Sequence, residues 1–267
     1  MGSVPPTSSS LPALATNPKA IFFTDFDGTI TLQDSNDYMT DNLGFGVELR
    51  RKGNHDVLED RKTFRDSFQE MLDSVKTPFD ECIKILLANI QLDPKFKEFY
   101  SWCRANNIPV VVLSGGMQPV IRALLAHLVG EEDVKGMQIV SNDVAPRPGK
   151  KSINEEGGWT IVYHDESGFG HDKSLEIRPY AALEKRPVMF YAGDGVSDLS
   201  AAKETDLLFA KAGRDLVQYC IRENVPYTEF HDFGDIHKIV KRVVDGEITV
   251  QEAAVNQKVV EKPVEKA

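Results

Sequence analysis

The sequence predicts an α/β fold: a Rossmann-like parallel sheet sandwiched by helices, with a small helical cap inserted after the first strand. Short apolar or β-rich runs recur along the chain, each bounded by turn formers. Amphipathic helical patterns follow several of them, which is the alternation of an open parallel sheet. One long polar stretch of helical period breaks that alternation directly after the first run.

The elements follow in chain order. Residues 1–18, rich in Pro and Ser, read as a flexible tail with neither the basic nor the continuous apolar region of a secretory signal. "AIFFTDF" (20–26) reads as the first strand. Residues 32–91 carry helical period and no convincing strand, and they are too long for an ordinary connection. They are expected to form the cap. "IPVVVLS" (108–114) is the second strand, followed by a helix over "MQPVIRALLAHLVG" that lines up Val120, Ile121, Leu124, Leu125 and Leu128 and ends at Gly130. The stretch 135–172 holds "MQIVSNDVA" and "GGWTIVYHD" around a Pro/Gly/Lys-rich turn, which fits an antiparallel hairpin or extension. "PVMFYAG" (187–193), "DLLFAKA" (206–212) and "PYTEF" (226–230) complete the strands. "SDLSAAKETD" is expected as a short helix with Asp198 in its first turn, and "LVQYCIREN" and "DIHKIVKRVVDGE" as the closing helices. The expected core is therefore 19–31 with 92–248, and 249–267 a second tail.

Bulk properties narrow the function. At 267 residues and 41% hydrophobic content, the chain can bury one good core with a small appended unit. A formal net charge of −10 argues against a nucleic-acid surface while leaving room for a local cationic pocket. The absence of any apolar run near ~20 residues argues against a membrane span. Cys82, Cys103 and Cys220 have neither CxxC nor Cys/His spacing. They read as buried reduced thiols of a cytoplasmic protein, with the nucleus as a further location. The chain is expected to be a monomer or homodimer.

The chemistry lies at the strand ends, where ligands bind in open parallel sheets. The first strand ends in Asp25-Phe26-Asp27-Gly28-Thr29, the second in Ser114-Gly115-Gly116, and a third in Gly193-Asp194-Gly195-Val196-Ser197-Asp198. Carboxylates crowded without a counter-charge would raise one another's pKa values, and a hard dication removes the problem. Mg²⁺ prefers oxygen ligands from one or two carboxylates together with a substrate phosphate. Ser114 and the following glycine amides make an anion pocket. Lys173 in "GHDKS" could complete it, with Lys150, Lys151 and Lys211 as rivals. A carboxylate beside a bound phosphate suggests an aspartyl-phosphate. A second carboxylate two positions on, on the same face of an extended strand, is placed to move the leaving-group proton. His171 reads as a residue of the loop before the next helix rather than a base.

"DFDGT", a Ser after an apolar strand, an isolated Lys and "GDGVSD" resemble, in order, the four motifs of the haloacid dehalogenase superfamily. The insert resembles the cap of its phosphoserine phosphatase-like branch, and the likeness covers roughly residues 20–240. It implies Asp25 as nucleophile and metal ligand, and Asp27 as general acid/base whose carbonyl also meets Mg²⁺. It further implies Asp194 as a metal ligand, and Thr29, Ser114, Gly115 and Lys173 as phosphate-binding, with Thr29 also supporting the loop. Asp198 would support the metal's water or orient Lys173. Ser197 stands where many relatives have Asn. In the cap, Asp34 stands where phosphoserine phosphatases have a Glu, and Met71 aligns with their Arg, with Arg65 nearby. A pocket without that Arg disfavours phosphoserine. The wording "DFDGTITLQDSNDYM" is similar to phosphatases of methylthio-sugar phosphates and fungal polyol phosphates, which favours a sugar or polyol monoester. A phosphotransferase of the same fold is one alternative. A phospho-Asp receiver module is another, and the chain length, the cap and Asp27 all argue against it.

Overall fold

The computed structural model describes residues 11–255 except Leu199. The apolar runs assemble into one seven-stranded sheet, β1 (Ala20–Thr24), β2 (Val110–Met117), β3 (Gln138–Pro146), β4 (Trp159–Val162), β5 (Val188–Gly193), β6 (Leu207–Lys211) and β7 (Thr228–Phe230). Their spatial order is β4-β3-β2-β1-β5-β6-β7. All neighbours pair in parallel except β3 with β4. The chain runs outward from β1 through β2 and β3, then returns to the other side of β1 to begin β5. That reversal opens a crevice at the carboxyl end of β1.

β1 is buried along its whole length because both of its faces are covered. Phe22 faces α5 (Phe96–Ala105) and α10 (Phe233–Val244), with its ring 4.7 Å from Phe99 and 6.3 Å from Phe233. Ile21 and Phe23 belong to the opposite core layer, where Phe23 meets Tyr180 of α8 (Lys173–Ala181) edge-on at 5.5 Å. Truncating Phe22 to Ala would cost about 3–5 kcal/mol, the range for a large aromatic lost from a packed core.

Residues 32–91 contain α1 (Ser35–Leu43), α2 (Val47–Leu58), α3 (Phe64–Asp73) and α4 (Phe79–Asn89). The charged run in α2 has no buried residue, so it is a solvated face. A two-stranded neck joins this insert to the sheet. Thr31 pairs with Leu92, the amide of Leu32 donates to the Gln91 carbonyl at 2.8 Å, and the amide of Asp93 donates to Ile30 at 2.8 Å.

The extension between β3 and α8 braces the cap. Trp159 is fully buried, its indole N–H donates to the Thr77 carbonyl at 2.9 Å, and its ring meets Phe79 edge-on. β3 is thus both a parallel sheet strand beside β2 and one arm of the antiparallel pair expected over 135–172.

Three expectations need correction. "SDLSAAKETD" forms no α-helix among the described residues. A single 3-10 turn, Val196–Asp198, stands there because the Asp198 carboxylate accepts the amides of Asp194 and Gly195. Part of the first tail packs on the core: Pro12–Leu14 form a 3-10 turn that buries Ala13, whose amide donates to the Tyr180 hydroxyl. Part of the second does too. α11 (Val250–Ala253) is closed by a Thr249–Glu252 capping box, and the Ala253 carbonyl accepts the Thr228 hydroxyl at 2.6 Å. Residues 1–10 and 256–267 lie outside the described residues. All three cysteines are free and buried, and no helix among the described residues is long and apolar enough to cross a membrane.

Candidate active site

Where β1 ends, the chain wraps into a turn around one carbonyl: the amides of Thr29, Ile30 and Thr31 all donate to the Phe26 oxygen at 2.9–3.3 Å. Gly28 takes φ +75°, and a Cβ there would stand 2.3 Å from Asp194 Oδ2, so only glycine fits. Asp25 and Asp27 therefore sit in a loop beyond the strand, not on one face of it, and their side chains have separate partners. Asp25 Oδ1 accepts Lys173 Nζ at 2.7 Å. Asp27 is held by the first turn of α1, accepting the Ser35 amide on Oδ1 at 2.8 Å and Asn36 Nδ2 on Oδ2 at 2.9 Å.

The loop is tied by Thr31, whose hydroxyl accepts the Gly28 amide at 3.1 Å and donates to the Gln33 carbonyl at 2.7 Å. Thr29 is buried without lining the cavity, and its hydroxyl has no hydrogen-bond partner among the described residues.

β2 continues past Ser114 to Met117, with a register shift against β3 between those residues. The shift opens the strand and presents Ser114, Gly115 and Gly116 to the cavity. The Ser114 hydroxyl accepts the Gly116 amide at 3.0 Å and caps no helix, since α6 (Gln118–Val129) begins after Met117 with no side-chain cap. A Cβ on Gly116 would stand 3.0 Å from Asp27 Oδ2, so glycine there permits the approach of strand and carboxylate.

Lys173 is fully buried at the start of α8, and it is the lysine that reaches the doublet. Lys150 instead donates to the Glu156 carbonyl, Lys151 is exposed, and Lys211 pairs with Asp93. Besides Asp25, Lys173 Nζ donates to Asp198 Oδ1 at 2.7 Å. Asp198 also accepts the Tyr191 hydroxyl and the amides of Asp194 and Gly195, so it orients Lys173 and fastens the loop that carries Asp194.

Oxygens of Asp25, Asp194 and Asp198 lie within 4.8 Å of one another. Burial pushes the Asp25 carboxyl up to about 7 even against the pull of Lys173. It lifts Asp194 well above the carboxylate range, with the charges of Asp25 and Asp198 adding to the shift. Burial also raises Asp27, reinforced by the Asp34 charge. Burial tends to lower Lys173, yet Asp198 and Asp25 outweigh it and raise the ammonium's pKa overall. Negative charge thus exceeds positive charge in a buried place built from hard oxygen donors. That donor set fits a divalent cation such as Mg²⁺.

Asp25, Asp27 and Asp194 line a cavity of about 300 Å³ between the strand ends and the cap, near the lower end for small-molecule sites, and the fully buried Lys173 and Asp198 meet its wall through Asp25 and the Asp194 amide. From the cap, Asp34, Asn36, Asp37, Phe64, Phe68 and Met71 reach it. Asp34 spends Oδ1 on the Asn36 and Asp37 amides as N-cap of α1. Arg65 does not reach the cavity. Its guanidinium lies 4.3 Å over the Tyr163 ring and donates to the Asp165 carbonyl at 2.6 Å, so it locks the cap to the extension. The arginine that does line the cavity is Arg214, from the loop after β6. Nothing local in "AGRDLV" signals it, because only the parallel placement of β6 beside β5 brings that loop to the site.

With this geometry in place, residues 22–203 match the model of the haloacid dehalogenase-like hydrolases. The chain belongs to that family. This family member is 54% identical over 246 residues to polyol phosphate phosphatase PYP1 of Saccharomyces cerevisiae, covering 89% of this chain and 99% of the yeast protein. It is 28% identical over 227 residues to a 2-hydroxy-3-keto-5-methylthiopentenyl-1-phosphate phosphatase of Bacillus cereus, covering 84% and 96%. Among solved structures, a substrate-bound phosphoserine phosphatase superposes with a TM-score of 0.62 at 18% identity, covering 83% and 98%. That likeness bears on the fold alone.

Proposed function

We propose that this hydrolase is a Mg²⁺-dependent phosphomonoesterase for a small sugar or polyol phosphate, working through an aspartyl-phosphate. The observation that carries the reading is the division of labour in the doublet. Asp25 is bound to a buried ammonium, while Asp27, two residues on, is held by the cap's first helix at the same cavity. The 54% identity to a polyol phosphate phosphatase supports the substrate class.

Asp25, Asp194 and the Asp27 carbonyl would hold Mg²⁺, which neutralises charge on the phosphoryl oxygens and so lets two anions approach. Ser114, the Gly115 amide and Lys173 bind the remaining phosphoryl oxygens. An Asp25 oxygen attacks phosphorus and the bond to the leaving oxygen breaks. Asp27, whose raised pKa suits it to carry a proton, donates that proton to the leaving alcohol. Asp27 then takes a proton from water as the water attacks the phosphoryl group, releasing inorganic phosphate and restoring the Asp25 carboxylate. Phe64, Phe68 and Met71 exclude bulk water from above. Among the described residues, no Lys or Arg of the cap lines the cavity, while Asp34, Asp37 and Asn54 do. Hydroxyl groups suit such acceptors better than a carboxylate does.

The test is a panel of sugar, polyol and amino-acid monophosphates with Mg²⁺, ranked by kcat/KM, beside the Asp25→Asn variant. Polyol or sugar phosphates should lead the ranking. Equal phosphate release by the variant would sink the mechanism, and a lead for phosphoserine would sink the substrate class.

A further inference from the structure

We propose that His164, His171 and Glu176 form a second metal site, selective for a transition dication of the Zn²⁺ type. It lies behind the phosphate-binding strand and apart from the carboxylate cluster. The sequence motifs do not account for these residues. His171 is buried, with its Nδ1 2.9 Å from the Ser114 carbonyl oxygen. A carbonyl can only accept, so Nδ1 carries the proton and Nε2 keeps a lone pair. That Nε2 is buried and has no hydrogen-bond partner among the described residues. An unmet buried polar atom is costly, and a metal ion is a ready partner for an imidazole lone pair.

The other two donors stand beside the His171 ring. The His164 ring lies 4.7 Å from the His171 ring, and His164 Nε2 is 3.0 Å from Glu176 Oε1. One ligand atom from each residue falls within 4.8 Å of the others. Two imidazoles and one carboxylate are the donor set of zinc sites that keep a further position for water. Nitrogen donors select against Mg²⁺ and Ca²⁺, which favour oxygen, so the two centres would not compete for one ion. His164 and Glu176 are partly exposed, which leaves a side open for the ion and its water. The Ser114 carbonyl would be the outer partner that aims the His171 ring, as backbone carbonyls do for metal-bound histidines. Occupancy would join the 164–171 loop, the first turn of α8 and the Ser114 strand. Lys173 lies in that first turn, so the ion would brace the two segments that grip the phosphoryl group.

The test uses the full chain, stripped with a chelator and then saturated with Mg²⁺ so that the carboxylate cluster is filled. Zn²⁺ is titrated calorimetrically and Co²⁺ spectroscopically. We expect about one equivalent above the Mg²⁺ background, as a single centre of this donor set requires. His164→Gln and Glu176→Gln, both at partly exposed positions, should each weaken it by at least about 10-fold, the lower bound for loss of even an outer partner. Asp194→Asn should leave Zn²⁺ affinity unchanged, and the Co²⁺ spectrum should show imidazole ligation that His164→Gln alters and Asp194→Asn does not. No binding above Mg²⁺, affinity unchanged from the wild type in both glutamine variants, or loss of binding in Asp194→Asn alone would overturn the proposal.

Discussion

Lys173 Nζ stands 2.7 Å from Asp25 Oδ1, a pair closed across 148 positions of sequence with both partners buried. Removing one partner of such a pair leaves a buried charge without compensation. Lys173→Met strands both Asp25 and Asp198, so the variant should lose about 3–5 kcal/mol of stability by chemical denaturation. Its kcat should fall by about 10²–10³, the usual cost of one preorganised electrostatic partner. Lys173→Arg should not rescue either loss, because a planar guanidinium does not fit where the ammonium has no exposed surface. Near-normal kcat in Lys173→Met would remove this lysine from the chemistry.

Metal dependence should carry a pH signature. The Asp25 pKa in the metal-free fold is about 7, against 3.8 for an unperturbed Asp. A folded-state pKa above the unfolded one means that the charged carboxylate costs stability. The cost is absent below 3.8 and complete above about 7. A dication at Asp25 and Asp194 offsets it and must displace protons to bind at lower pH. Mg²⁺ should therefore raise Tm clearly at pH 8 and little at pH 5, with chelator reversing the gain. Equal Mg²⁺ increments at the two pH values, read by differential scanning calorimetry, would count against metal binding by these carboxylates.

Asn36 is expected to act through Asp27. Its Nδ2 donates to Asp27 Oδ2 at 2.9 Å, and it belongs to the cap helix whose first amide holds the other oxygen. Asn36→Leu should slow kcat by about 10-fold through misplacement of the acid, against about 10²–10⁴ for Asp27→Asn, which removes it. The variant should also move the pH optimum, because one of the carboxylate's donors is gone. A change in KM alone would assign Asn36 to substrate binding instead.

The parts of this site that were legible in the sequence share one property: each is local. "DFDGT", "SGG" and "GDGVSD" mark strand ends, and an open parallel sheet brings strand ends to one edge whatever the loop details. Strand positions were legible for the same reason, since buried parallel strands are short apolar runs between turn formers. What failed depended on which partner each side chain captures, near or far along the chain. Asp198 drew the backbone amides of its own loop and replaced an expected helix with a single turn. Arg65 was taken by Tyr163 and the Asp165 carbonyl on the extension, 98 and 100 positions away. Thr31, not Thr29, ties the Gly28 turn, a choice two residues wide that residue type alone does not make. Arg214 reaches the cavity only because β6 lies beside β5.

Arg214 yields a substrate prediction. Among the described residues it is the one Lys or Arg that lines the cavity, which Asp37 and Asp215 line as well. A charge-assisted hydrogen bond to a substrate oxygen is worth about 1.5–3 kcal/mol. Arg214→Gln should lower kcat/KM by about 10–100-fold, carried by KM, with kcat nearly kept. Steady-state kinetics on the best polyol phosphate decide it. A pure loss of kcat would place Arg214 in transition-state stabilisation.

His171 should shape acid stability. Burial lowers its pKa from 6.5 to about 4, and the charges of Lys173 and His164 act in the same direction. The Ser114 carbonyl and Asp165 oppose them without prevailing. The folded state thus favours neutral imidazole. Between pH 6.5 and 4 the unfolded chain binds a proton here that the folded chain refuses. Stability from this residue is complete above pH 6.5 and drains away as pH falls toward 4. The slope approaches about 1.4 kcal/mol per pH unit for one proton. His171→Gln removes the titration and can still donate to the Ser114 carbonyl. In chelator, to keep any bound metal out of the balance, the variant should show a flatter stability profile below pH 6.5 than the wild type. Parallel profiles from denaturant titrations across that range would mean that the imidazole becomes charged without leaving its place in the fold.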